Sequence, residues 1–211
     1  VLDASECPPT FGVSPEMVQG IIAGGKPALT TSVEWAEDNE TAGVEALQDI
    51  NFTKKDVLVG ITASGQAPFV RAAMEYALGL GSVVGAIACN KQSRIFECAT
   101  HKIFLDVGSE ILTGSTRMKA GTAQKLVLNM LTTTSMIKLG KVYDNYMVDL
   151  TPVNSKLNYR AVNLIEVISG CDKKRAEEVF VLSGKRVKTA IVMAKLDIDR
   201  ALADRLIDEN G

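Results

Sequence analysis

Two stretches of the chain bring hydroxyl groups and glycines to the point where an apolar run gives way to a helical pattern. The first is Gly60-Ile61-Thr62-Ala63-Ser64-Gly65-Gln66-Ala67-Pro68. The second runs from Gly108 to Lys125 and holds Glu110, Thr113, Gly114, Ser115, Thr116, Arg117 and Lys119. A helix start leaves its first backbone N–H groups without internal partners and carries the positive end of the helix dipole. Amides and hydroxyls there can converge on one anion. Taken alone, Ser115 or Thr116 can equally be an ordinary helix cap, with Arg117 and Lys119 as exposed cations. Two such junctions argue for ligand binding, because both follow a strand and precede a helix. In a parallel sheet such loops share the edge at the carboxyl ends of the strands. There is no GxxxxGK[ST] or GxGxxG motif, and Gly79, Gly81 and Gly85 precede a strand instead of following one. The expected ligand is a small phosphorylated metabolite.

The elements that must position these loops follow from periodicity. Asp56 to Ile61 reads as a strand that is apolar throughout, as in a parallel sheet covered on both faces. Val18–Ala23, Val83–Cys89 and 102–107 read as further strands. Residues 27–50, with a break near Asp38-Asn39, and 68–80 read as helices, Pro68 suiting a first helical turn. Strands separated by helices predict an α/β fold with a doubly wound parallel sheet. Beyond 117 the pattern is helical, over 117–140 and 155–168, then over three short helices in 172–210, where Ala190–Ala194 has a strand-like composition. Leu126, Met130, Met136 and Ile137 should form the apolar face of the first of these. The division expected is a sheet domain over 1–168 and a small C-terminal helical module over 169–211.

With 211 residues, 46% of them apolar, and a net charge of −2, the chain can bury one sizeable core and has no basic surplus for nucleic acid or an anionic membrane surface. No apolar run approaches the roughly 20 residues that span a bilayer, so the expectation is a soluble protein with the cytoplasm as its default location. Cys7, Cys89, Cys98 and Cys171 form no CxxC pair, which predicts reduced thiols in packing roles and no zinc site. His101, the one histidine, opens a strand and reads as a surface residue.

Thr62-Ala63-Ser64-Gly65 resembles the phosphate loop of sugar isomerase (SIS) domains, and Glu110 through Lys125 resembles a pattern shared by N-acetylmuramic acid 6-phosphate etherases and the glucokinase regulatory protein. The strings Asp3-Ala4-Ser5-Glu6-Cys7-Pro8-Pro9-Thr10-Phe11-Gly12, Glu34-Trp35-Ala36-Glu37-Asp38, Gly140-Lys141-Val142 and Asn145-Tyr146-Met147-Val148-Asp149 are similar to the etherases along essentially the whole chain. The resemblance implies an SIS fold and a lyase that splits a lactyl ether from a sugar phosphate by elimination and then hydration. It works in cell-wall sugar recycling as a homodimer, without metal or cofactor. A base removes the proton alpha to the aldehyde of the open-chain sugar, and an acid protonates lactate as it leaves the beta carbon; two carboxyl groups suffice. The family's pair maps onto Glu6, as the acid, and Glu37, as the base. For Glu37 the residues alone would suggest a solvated face, because Glu34, Asp38 and Glu40 crowd the same segment.

By the same resemblance Thr62, Ala63, Ser64, Gly65 and Gln66 bind the phosphate, and Glu110, Thr113, Gly114, Ser115 and Lys119 form a second wall. Lys141, Asn145 and Asp149 read equally as packing or dimer residues. The chain departs from the family in Gln66-Ala67, where an Arg-Thr pair is usual, and in Trp35, where a glycine is usual; the ring can fill an apolar gap or crowd the site. Family members also begin several dozen residues earlier, with a first strand and a further phosphate loop. On that comparison the sequence opens in mid-helix, as an N-terminally truncated piece whose sheet lacks its central strand and which alone should be inactive. Two other classes share much of this pattern, a non-catalytic sugar-phosphate sensor and an aldose–ketose isomerase. Only the etherase releases lactate.

Overall fold

The computed structural model describes residues 1–210. The chain is α/β and divides into two compact units, one formed by Ile21–Leu128, the other by Val1–Gly20 with the residues from Asn129 onward.

The first of these units holds a parallel sheet of β1 (Val57–Ile61), β2 (Val83–Ala88) and β3 (His101–Phe104), in the order β1-β2-β3. Val57 pairs with Val83 and Ile61 with Ile87, while Gly85 pairs with His101 and Ala88 with Phe104. Two helices accompany the sheet, α2 (Glu40–Asp49) and α3 (Pro68–Gly79). Leu47 of α2, Met74 and Ala77 of α3, Val84, Ala86 and Ala88 of β2 and Ile95 form its core. The two helices approach closely enough that a Cβ on Gly43 would lie 2.2 Å from the Phe69 carbonyl oxygen. No side chain fits there without moving backbone.

Several expectations change in this unit. The strand covered by its surroundings is β2, buried from Val84 to Ala88, whereas β1 lies at the sheet edge with Val57 exposed. β3 is shorter than 102–107, although Leu105 N still donates to Ala88 O at 2.9 Å. Val18–Ala23 is not a strand: the run is interrupted by Gly20, followed by Gly24-Gly25, and leaves Ile21 and Ile22 exposed. A short apolar run without neighbours to pair with does not make a strand. Residues 27–50 hold two single 3₁₀ turns, Lys26–Leu29 and Ala36–Asp38, before α2 begins at its Asn39 cap, whose Oδ1 accepts from Ala42 N at 3.0 Å.

The other unit contains α1 (Leu2–Phe11), the last part of α4 (Lys119–Lys138), and α5 (Ser155–Ser169), α6 (Lys173–Leu182), α7 (Val187–Leu196) and α8 (Arg200–Asn210). α1 continues through Pro8-Pro9, where the sequence suggests a stop, and ends at Gly12. Cys7 and Phe11, four residues apart on one face, are both buried with Val13 and Met136, and this burial holds the turn that lacks two amide donors. Asn154 and Asp172 cap α5 and α6, accepting from Leu157 N at 2.9 Å and Arg175 N at 2.8 Å, and Asp199 accepts from Leu202 N at 2.8 Å at the start of α8. Ile165, Ala176, Val179, Val187, Ala190 and Ala203 put α5 to α8 around one core. Ala190–Ala194 is helical, inside α7. The apolar residues expected on one face of α4 separate in the fold: Met136 is buried, whereas Leu126, Met130 and Ile137 are exposed.

Candidate active site

The loop after β1 is a continuation of the sheet that closes into a turn. Thr62 N donates to Ile87 O at 3.2 Å, and Cys89 N donates to Ala63 O at 2.9 Å. Gly65 N then folds back onto Thr62 O at 3.1 Å, with Gly65 at φ 75, a conformation in which a side chain is strained. Space imposes the same choice, because a Cβ on Gly65 would sit 1.9 Å from Ser93 Oγ. The Thr62 and Ser64 hydroxyls lie 3.3 Å apart, and Ser64 Oγ accepts from Gln66 N at 3.2 Å. α3 follows at once, with Pro68 in its first turn and no side-chain cap at Ala67. The structure therefore brings Thr62, Ala63, Ser64, Gly65 and Gln66 together, two hydroxyls and backbone amides at an uncapped helix start, with no cation among the five.

The second loop is organised differently from the expectation. The amides at the start of α4, which the sequence suggests are free for a ligand, are bound by the chain's own carboxylate. Lys119 N donates to Glu110 Oε2 at 3.1 Å and Ala120 N to Glu110 Oε1 at 3.0 Å. Glu110 is thus the cap, a role the sequence leaves to Ser115 or Thr116. The Ala120 amide first, and then the Lys119 amide and ammonium, hold the Glu110 carboxyl below the ordinary glutamate value. Thr113 and Gly114 are exposed and Ser115 half-buried in the turns between, where Ser115 N donates to Leu112 O at 2.9 Å. Burial, and then the charge of Glu110, push the Cys89 thiol up.

Glu110 makes a testable contribution to stability. Its folded-state pKa is depressed, so the stabilisation is present above the ordinary carboxyl value and is lost as pH falls through the lowered one. Glu110→Gln should lower Tm at neutral pH, and the gap from wild type should close as pH falls from the ordinary glutamate range through the lowered one. Thermal melts across that range check it, and a gap that does not depend on pH would contradict the charged cap.

Glu6 and Glu37 occupy different units. Glu6 is exposed on α1, next to the buried Cys7, whose thiol is pushed up by burial first and then by the Asp3 and Glu6 carboxylates. Asn129 Nδ2 donates to Asp3 Oδ1, tying this helix to α4. Glu37 is exposed in the Ala36–Asp38 turn, two residues after Trp35, which takes φ 61 and is 81% exposed. The ring therefore fills no apolar gap, and it occupies a left-handed conformation that costs a non-glycine residue about 1 kcal/mol. That conformation explains why glycine suits the position. Ser32 Oγ donates to Glu34 Oε1 at 3.2 Å nearby. Lys141 and Asp149 form an ion pair at 3.2 Å, and His101 is exposed at the start of β3. Cys7, Cys89, Cys98 and Cys171 are free thiols, the first and third of them buried.

One segment escaped the sequence reading altogether. Cys89-Asn90-Lys91-Gln92-Ser93 leaves β2 on the same strand-end edge and is bonded to the Thr62–Gln66 loop: Asn90 Nδ2 donates to Ser64 O at 3.3 Å and Gln66 Nε2 to Gln92 O at 3.2 Å. The rule that ligand loops follow the carboxyl ends of parallel strands, applied to β2 as well as to its neighbours, is the signal that would have found it.

Residues 5–78 match the family described as the glucokinase regulatory protein N-terminal SIS domain, and residues 144–203 match the C-terminal lid domain of glucokinase regulatory protein. Over 209 residues the chain is 52% identical to the N-acetylmuramic acid 6-phosphate etherase of Glaesserella parasuis serovar 5, covering 99% of the chain and 69% of that relative. The etherase of Actinobacillus pleuropneumoniae serotype 7 is 52% identical over 210 residues, which are 100% of the chain and 69% of the relative. That of Escherichia coli O139:H28 is 50% identical over 211 residues, or 100% of the chain and 71% of the relative.

Proposed function

The chain belongs to the N-acetylmuramic acid 6-phosphate etherase family, and from that premise we propose how its residues carry the reaction. It is a carbon–oxygen lyase that takes N-acetylmuramic acid 6-phosphate to N-acetylglucosamine 6-phosphate and D-lactate. The observation that carries this is the identity of about half the residues over the whole chain with etherases of which it covers more than two thirds.

The sugar phosphate sits with its phosphate on the Thr62–Gln66 loop, against the start of α3, and the Glu110–Lys119 segment is the second wall. Glu110 supports that wall as the cap of α4, and Thr113, Gly114, Ser115 and the Lys119 side chain face the sugar. Opening of the sugar ring exposes an aldehyde that acidifies the neighbouring carbon. Glu37 takes that proton, and the electrons move through the enolate to expel the ether oxygen from the beta carbon. Glu6 gives its proton to that oxygen, and lactate departs. Glu6, now a carboxylate, takes a proton from the water that adds to the beta carbon of the unsaturated aldehyde, and Glu37 returns its proton to the alpha carbon. The two carboxyl groups begin in opposite protonation states and exchange them, so the cycle needs no net acid or base.

Residues 1–168 are read as the SIS portion and 169–211 as the helical module, divided at the Gly170 turn. The exposed Leu126, Met130 and Ile137 on α4 support a homodimer. No helix among the described residues is long and apolar enough to cross a membrane, which agrees with work in the cytoplasm. The match to the glucokinase regulatory protein models favours a second reading, a sugar-phosphate sensor. Incubation of protein containing this chain with N-acetylmuramic acid 6-phosphate separates the two. Release of D-lactate, read with D-lactate dehydrogenase, is the expected result, and binding without lactate identifies a sensor.

A further inference from the structure

We propose that Asn90 and Ser93, in the loop after β2, are positioning residues that set the Thr62–Gln66 loop in the shape that receives a phosphate monoester. The proposal rests on the reading of that loop as the phosphate site.

Every carbonyl from Thr62 to Gly65 is held. Thr62 O accepts from Gly65 N at 3.1 Å, inside the turn. The next three are held by the neighbouring segment: Ala63 O accepts from Cys89 N at 2.9 Å, Ser64 O from Asn90 Nδ2 at 3.3 Å, and Gly65 O from Ile95 N at 3.3 Å. A peptide unit is planar, with its C=O and N–H pointing in opposite directions. Asn90 holds the Ser64 carbonyl and so orients the Gly65 amide of the same peptide, which closes the turn onto Thr62 O; with the Thr62 and Ala63 carbonyls fixed, the Ala63 and Ser64 amides aim away from those partners, and none of the bonds described uses those two amides. Of the three outside attachments, two come from backbone and one from a side chain, Asn90. The Asn90 side chain is itself braced, its Oδ1 accepting from Gln92 N at 3.0 Å. The Asn90 main-chain carbonyl accepts from the hydroxyl of Ser93, a residue only 5% exposed. Ser93 also occupies the volume beside Gly65, where a Cβ would overlap its Oγ. Gln66 adds a strut to Gln92 O.

No cation stands among Thr62–Gln66, so a phosphate there depends on correctly aimed amides and hydroxyls. Loosening the segment that aims them should weaken phosphate binding without altering the groups that react. The expected signature is a rise in KM with kcat preserved, and a matching rise in Ki for inorganic phosphate as a competitive inhibitor.

The test compares Asn90→Ala, Ser93→Ala and Ser64→Ala in the whole enzyme, measuring KM and kcat for N-acetylmuramic acid 6-phosphate, Ki for inorganic phosphate, and Tm. Asn90→Ala should raise KM and the phosphate Ki together by about five- to twentyfold, the effect of one well-placed hydrogen bond, with kcat within about twofold. Ser93→Ala, which removes one hydroxyl and adds no bulk, should raise both about threefold and carries the test if Asn90→Ala does not fold. If Ser64→Ala raises the phosphate Ki while Asn90→Ala and Ser93→Ala change only Tm, or nothing, the segment is mere packing and the proposal falls. If none of the three moves the phosphate Ki, the loop is not the phosphate site and the proposal falls with that reading.

Discussion

Glu6→Ala should slow release of D-lactate from N-acetylmuramic acid 6-phosphate by about a hundred- to ten-thousandfold, the range that a positioned general acid contributes. The leaving group sets the size of the effect. An alkyl ether departs as an alkoxide unless it is protonated, and its pKa lies far above that of water-exposed carboxyl groups, so the step leans heavily on a proton donor. Glu6 is exposed on α1, and its neighbour Cys7, not Glu6 itself, supplies the buried contact to Phe11 and Met136. The substitution therefore removes no core atoms, and Tm should stay within the small range of surface changes. Exchange of the alpha proton with solvent deuterium should survive in this variant, because proton removal precedes the acid's step. Wild-type lactate release from the Glu6→Ala enzyme would remove the acid assignment.

Some of this arrangement can be read directly along the chain. β1, β2 and α3 stand where apolar runs and Pro68 put them, and α5 ends and α6 begins at local signals, the Gly170 and Asp172 caps. The Thr62–Gln66 loop is legible because its chemistry is consecutive: a strand end, two hydroxyls, a glycine in the left-handed region and a helix-starting proline. What stays hidden is long-range. α1 passes through Pro8-Pro9 because Met136, more than a hundred residues away, gives Cys7 and Phe11 a core to enter. Glu110 reaches nine and ten residues forward to bind the Lys119 and Ala120 amides, so a site that looks open to an anion is already occupied by one. Asn90 and Ser93 leave no periodic pattern, since they act through backbone carbonyls that any residue supplies. β1 looks fully buried by composition, yet burial depends on neighbours, and here it is an edge.

Glu37→Ala should suppress deuterium incorporation at the alpha carbon by about a hundred- to ten-thousandfold and reduce lactate release to the same extent, because elimination cannot precede loss of that proton. This joint loss separates it from Glu6→Ala, which stops lactate release and leaves exchange. The assignment needs such a kinetic test because its surroundings do not single Glu37 out. Glu34, Glu37, Asp38 and Glu40 are all exposed carboxylates within seven residues. Their geometry offers one distinction: Glu34 already accepts a hydroxyl from Ser32, whereas Glu37 follows the left-handed Trp35 in a 3₁₀ turn. Glu34→Ala and Asp38→Ala are therefore the matched controls, each deleting one exposed carboxylate from the same segment with the same small change in local charge. Both should keep exchange within about threefold of wild type, as expected when only screened surface charge is removed. If either abolishes exchange while Glu37→Ala retains it, the base is that residue. If all three retain it, the base is Glu40 or lies outside this segment.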